Sequence, residues 1–147
     1  MKECLQQIAT LTFVLAVAGC ASGGGERDER LADVLAGLDT DTEYAATQRC
    51  LSTFEYDRVE VLDERHLLFR NAPGNDVWLN ILRSRCPGLH RNDTLLFEKS
   101  GSRLCSLDRA EVIDRFLFWR RTGPVCALGE FHQLTDAQAA LIREATR

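Results

Sequence analysis

The chain has 147 residues, 45% hydrophobic and 27% charged, with a net charge of −4. The length suits one domain, and the composition suits a globular fold. The acidic balance argues against a nucleic-acid partner, whose binders carry a basic footprint.

The N-terminus opens with Met1-Lys2-Glu3, then an apolar run from Ile8 to Val17. That run is too short for a standard membrane span. Small residues Ala18 and Gly19 precede Cys20, the pattern of a lipoprotein signal. Residues 1–19 are therefore expected to be removed and Cys20 to be lipidated. Several acyl chains hold a protein durably, since each buried methylene contributes about 0.8 kcal/mol. Ala21 follows Cys20, where an Asp typically retains such proteins at the inner membrane. The expected location is the bacterial envelope, at the outer membrane facing the periplasm. The lipid-held membrane is then one partner and an unidentified envelope protein another.

Ser22-Gly23-Gly24-Gly25 reads as a spacer, and residues 20–30 as a flexible tether. Leu31, Val34, Leu35 and Leu38 form one helical apolar stripe, with Asp28 as its N-cap. Asp39-Thr40-Asp41-Thr42-Glu43 briefly resembles a calcium loop. It fails because Tyr44 stands where the loop needs Gly, and Cys50 where it needs a bidentate Glu.

From Cys50 the chain breaks into short alternating runs and turns. Val59 and Val61 begin a strand, Asp63 to His66 turn, and Leu67-Leu68-Phe69 return. Val77, Leu79 and Ile81 make the next strand, and Leu95 and Phe97 another. Ser100-Gly101-Ser102 predicts a hairpin into Leu104–Leu107. Val112 and Ile113 follow, and Val125 to Phe131 forms the last strand. Thr135-Asp136-Ala137-Gln138 is a capping box opening a final helix docked by Leu141 and Ile142. The expected fold is mainly β (α+β). About six short antiparallel strands form a curled sheet or small barrel, with an N-terminal and a C-terminal helix. The single domain is expected over residues 31–147.

Cys4 leaves with the signal and Cys20 takes lipid, so Cys50, Cys86, Cys105 and Cys126 remain. In an exported chain they predict two disulfides, with three connectivities open. The widely scattered spacing fits neither a Cys-x-x-Cys redox motif nor zinc. We expect Cys86–Cys105, pinning the Pro87-Gly88 turn to the following strands, and Cys50–Cys126, tying the ends of the body.

The sequence carries Cys50, a hairpin around Asp63, a Trp78-Leu79 strand and Cys86-Pro87-Gly88-Leu89. Leu104-Cys105-x-x-Asp108, Cys126-Ala127-Leu128-Gly129-Glu130-Phe131 and Leu134-Thr135 follow. This order resembles a family of small proteobacterial lipoproteins, domain of unknown function 6491, over Cys50 to Gln138. The resemblance implies an envelope location and a cysteine-framed β domain. It implies no catalytic residue.

Nothing in the sequence demands a cofactor or a metal. His66 and His90 read as turn and loop residues, and His132 as a half-buried strand end. Asp93, Asp108 and Asp114 are the carboxylates that folding could bring together for acid–base work. Arg83, Arg85 and Arg91 form one basic group, and Arg115, Arg120 and Arg121 a second. Solvated faces with ion pairs explain both; anionic lipid or polymer is the sharper reading. Trp119, Arg120 and Arg121 are the candidate partner surface, and Trp78 is expected in the core. The functional expectation is a non-enzymatic, lipid-anchored binding module. A carboxylate hydrolase at Asp93 and Asp108, or a ligand-binding barrel, are the alternatives.

Overall fold

The computed structural model describes residues 24–38, 47–71, 75–99, 101–114 and 120–147. Cys20, the signal segment, the Asp39–Glu43 run, Arg115 and Trp119 lie outside them. In chain order come α1 (Gly24–Leu38), β1 (Thr47–Gln48), β2 (Cys50–Ser52), β3 (Arg58–Val61), β4 (His66–Asn71) and β5 (Asp76–Ile81). Then follow β6 (Thr94–Glu98), β7 (Arg103–Cys105), β8 (Arg109–Asp114), β9 (Arg120–Ala127), β10 (Phe131–Leu134) and α2 (Asp136–Ala145).

The fold is mainly β, flanked by an N-terminal and a C-terminal helix. The described residues hold ten strands rather than six, in three antiparallel sheets. The central sheet runs β1-β10-β5-β4-β3, beside a three-stranded sheet β6-β8-β9 and the pair β2-β7. None of these sheets closes into a barrel, which sets that alternative aside.

The central sheet is covered on both faces. Leu67, Leu68 and Phe69 of β4 are all fully buried. A continuous apolar run is what a strand needs when neither face meets water. Phe69 and Trp78 face each other across β4 and β5, toward a core shared with Leu51, Leu104, Val112 and Leu128. Leu68 and Leu79 face the other way, onto Leu31 of α1 and Ala139 and Ile142 of α2. Helices, central sheet and small sheets thus form three layers.

α1 begins at Gly24, inside the run expected to be a tether, so Asp28 lies within the helix rather than at its cap. Glu and Arg propagate a helix well, and the 26–30 run extends it. Of its expected stripe, Leu31 is buried while Val34 and Leu35 are half-buried. α2 has the expected capping box: Gln138 N–H donates to Thr135 Oγ1 at 3.2 Å, and Thr135 N–H to Gln138 Oε1 at 2.8 Å. Ile142 docks as expected, but Leu141 points to solvent, because Ala139, Ile142 and Ala145 hold the buried face.

The expected hairpin is not formed, since β6 and β7 do not pair with each other. β6 pairs with β8, whereas β7 crosses to pair with β2, some fifty residues earlier in the chain. Burial of Leu51 against Leu104 rewards that pairing. The expected last strand is split by Leu128-Gly129-Glu130 into β9 and β10, which belong to different sheets.

The crossing is clamped by Asn80, a fully buried polar residue. Its Nδ2 donates to the Gly129 carbonyl at 2.9 Å, and its Oδ1 accepts from Gly129 N–H at 3.1 Å. The buried amide is thereby satisfied, as it must be.

The disulfides are Cys50–Cys105 and Cys86–Cys126, which overturns both expected pairings. Cys50 and Cys105 sit directly opposite on β2 and β7, so the unforeseen strand pairing settles the first bond. The second then joins the loop after β5 to β9 inside the core.

Candidate functional site

A cleft of about 740 Å³ opens between α1, the β3–β4 turn and the loop after β5. Leu31, Leu35, Leu62, Ile81 and Leu89 give it apolar walls. Asp63, Glu64, His66, Arg85, His90 and Arg91 give it a polar rim. Four segments distant in sequence meet there.

The β3–β4 turn builds the rim. Asp63 Oδ1 accepts from Arg65 N–H at 2.7 Å and His66 N–H at 2.9 Å, folding the turn around its own carboxylate. The same carboxylate meets His66 Nδ1 at 2.9 Å and 3.0 Å. Burial pushes the Asp63 carboxyl up, but His66 and the two backbone N–H groups outweigh it. The net direction is below the ordinary 3.8. His66 is 6% exposed, so it is the buried histidine of the chain, in place of the expected turn residue. His132 is half-buried as expected, and His90 is exposed in a loop.

Glu64 is tied the other way. Its Oε2 accepts from Arg85 Nε at 2.7 Å and its Oε1 from Gly88 N–H at 3.1 Å. The Arg85 hydrogen bond, then Gly88 N–H, hold this carboxyl below its ordinary value. Arg91 donates to the Thr146 carbonyl at the end of α2, where a cation suits the helix dipole. On the rim, Asp63 is thus engaged with His66 and Glu64 with Arg85, while Arg91 is held by the end of α2.

Asp63 has a testable signature. A depressed folded-state value stabilises the protein above the unfolded value, and this contribution disappears as pH falls through the lower folded value. Asp63→Asn keeps an acceptor for the turn but removes the charge. It should cost about 1 kcal/mol near neutrality. The gap to the wild type should close below about pH 4 in urea titrations, following the direction of the Asp63 shift. A gap independent of pH would mean that the charge contributes nothing.

The other sequence candidates are not brought together. Asp93 precedes Thr94, which pairs with Ile113, whereas Asp108 precedes the opposite end of β8. Roughly 15–20 Å of strand separates them. Asp108 Oδ2 accepts from Cys105 N–H at 2.7 Å, and Asp93 Oδ2 from His90 N–H at 2.7 Å, both turn-forming contacts. Asp93 does share a second cleft, of about 610 Å³, with Asp114. Of the candidate partner surface, Arg120 pairs through its backbone with Asp114. Arg121 forms ion pairs with the buried Glu111 at 2.9 Å and with Glu98 at 3.3 Å. Trp78 is in the core as expected. Among the described residues, no group of three metal-ligating side chains comes together. No described helix is long and apolar enough to cross a membrane.

Sequence reasoning missed Asn80, the Glu64–Arg85 pair and the Glu111–Arg121 pair. The Asp63-x-x-His66 spacing was the one local signal, since it places a carboxylate to close a turn and reach the next side chain.

Fold and cleft define a small three-layer β domain, framed by two disulfides, with a polar-rimmed cleft under its first helix. The chain belongs to the family of unknown function DUF6491, whose profile matches residues 1–147. No curated protein and no solved structure matches it.

Proposed function

We propose that this protein is a non-enzymatic binding module, held by lipid on Cys20 at a bacterial envelope membrane, and that the cleft under α1 receives its partner. The observation that carries the reading is the makeup of that cleft. Its apolar lining reaches the surface at the half-buried Leu35 and Ile81, while Asp63, Glu64, Arg85 and Arg91 are held by neighbours within the domain. Apolar walls with a few fixed polar groups suit binding. Charges already engaged are poorly placed to move protons.

Position supports the same reading. Only residues 21–23 separate Cys20 from the start of α1. That short link reaches at most about 14 Å. A lipid on Cys20 would hold the cleft close to the membrane surface, where an envelope partner would be met.

The test places a photo-cross-linker at Ala32, an exposed α1 residue on the cleft, in cells of the native host. A control carries it at the exposed Ala140 on α2. A specific adduct is expected from position 32, with membrane retention of the protein. Cys20→Ala should release the protein to the soluble fraction and reduce the adduct. Continued retention of Cys20→Ala contradicts the anchor, and equal labelling from position 140 contradicts the cleft.

A further inference from the structure

The two disulfides stand in unlike surroundings. Cys86 and Cys126 are 5% and 4% exposed, inside the core between the sheets. Cys50 and Cys105 are half-buried and join directly opposed residues of β2 and β7, with Cα atoms 3.9 Å apart. The sheet they staple has three residue pairs.

A second, independent feature adjoins that bond. After Cys105 the chain turns, with Asp108 N–H donating to the Cys105 carbonyl at 3.0 Å. Leu107 stands third in this turn at φ 81°, in the left-handed region that suits Gly or Asn. Its side chain is 58% exposed. The Asp108 carboxylate accepts from Cys105 N–H at 2.7 Å, so one end of the disulfide is coupled to an unfavourable backbone and an exposed apolar tip. Such conformations cluster where a structure does something besides fold.

We infer that Cys50–Cys105 is a thiol–disulfide exchange site, addressed by a protein dithiol, while Cys86–Cys126 is permanent. A thiolate of the dithiol attacks one of the two sulfurs. A mixed disulfide forms, the Cys50–Cys105 bond breaks, and the other cysteine leaves as a thiolate. The second thiol of the dithiol then displaces the chain. The dithiol is oxidised by two electrons, and its two protons end on Cys50 and Cys105. Exchange of this kind is governed by thiolate character and by access. Access is what separates the two bonds.

The reduced pair stays in place. Leu51 and Leu104, both fully buried, hold β2 to β7. Thr53 N–H to Ser102 O at 2.9 Å and Ser106 N–H to Arg49 O at 2.7 Å close the ladder at its two ends. The thiols remain face to face, ready to re-form the bond, and the Leu107 turn keeps its backbone bonds to Leu128. This inference stands apart from the cleft reading: either can fail alone.

Graded reduction tests it. The oxidised full chain, with Cys4 and Cys20 first alkylated, is exposed to dithiothreitol under native conditions, quenched with a second alkylating agent and mapped by peptide mass. Cys50 and Cys105 should be labelled at least about tenfold faster than Cys86 and Cys126, with the circular dichroism of the fold retained. Simultaneous labelling of all four, or earlier labelling of Cys86 and Cys126, overturns the inference. A thioredoxin-fold dithiol with its resolving cysteine replaced by Ser provides a second readout. It should be trapped on Cys50 or Cys105. No adduct from the folded protein, or an adduct only on Cys86 or Cys126, overturns it as well.

Discussion

Gly129→Ala is expected to lower the unfolding free energy by about 3 kcal/mol or more, a large share of the stability of a domain this size. A methyl group at position 129 would be driven into the Ile81 carbonyl oxygen, with the Ile81 carbonyl carbon 3.0 Å away. Both atoms belong to the backbone of β5, which is paired on both sides. Neither can yield without disturbing β4 or β10. Gly129 cannot yield either, because Asn80 holds its N–H and its carbonyl together. The requirement is for space, since Gly129 is not among the residues with a positive φ. Urea unfolding followed by tryptophan fluorescence would measure the loss. A change under about 0.5 kcal/mol, the size of an ordinary surface substitution, would falsify the close approach.

Gly129 also shows where sequence reading stops. The run Val125 to Phe131 is apolar enough to pass for one strand, yet the chain leaves one sheet and joins another in the middle of it. Nothing local marks the crossing, since its cause is Asn80, 49 residues earlier. The strands that were legible are those long enough to show their pattern. Val59 and Val61 alternate, and Leu67-Leu68-Phe69 is continuous because both its faces are covered. β1 and β2 have two or three residues each, too few to carry a period. Those two strands and the split of β9 from β10 make ten of about six. The disulfide pairing was lost because Cys50 meets Cys105 only once β7, legible as a strand, is known to pair with β2. The capping box of α2 was legible because its partners are three residues apart. The cleft was not, because its walls come from α1, the β3–β4 turn, the loop after β5 and the end of α2. Arg85 and Arg121 read as loose surface charge in sequence, and each is held by a glutamate 21 or 23 residues away.

Phe69→Ala is expected to be comparably damaging, at about 3–5 kcal/mol, by a different route. Phe69 is fully buried at the centre of β4. Its ring lies 5.2 Å from Tyr56 and 5.3 Å from Phe131 in edge-to-face contacts, and 5.7 Å from Phe97. Tyr56 belongs to the approach to β3, Phe131 to β10, which lies beyond β5 in the same sheet, and Phe97 to the small sheet opposite. One side chain therefore joins two layers, and its removal leaves a hole that no single layer can close by shifting. Burial of Tyr56 in this cluster pushes its phenol above its ordinary value, so loss of Phe69 should also bring the Tyr56 titration back toward 10.0. Phe69→Leu keeps most of the volume and should cost less, about 1–1.5 kcal/mol. Phe54→Ala supplies the contrast: that ring is 85% exposed, and its loss should stay within about 0.5 kcal/mol. Chemical denaturation of the three variants orders them directly. If Phe69→Ala were no worse than Phe54→Ala, the two sheets would not be held together through this ring.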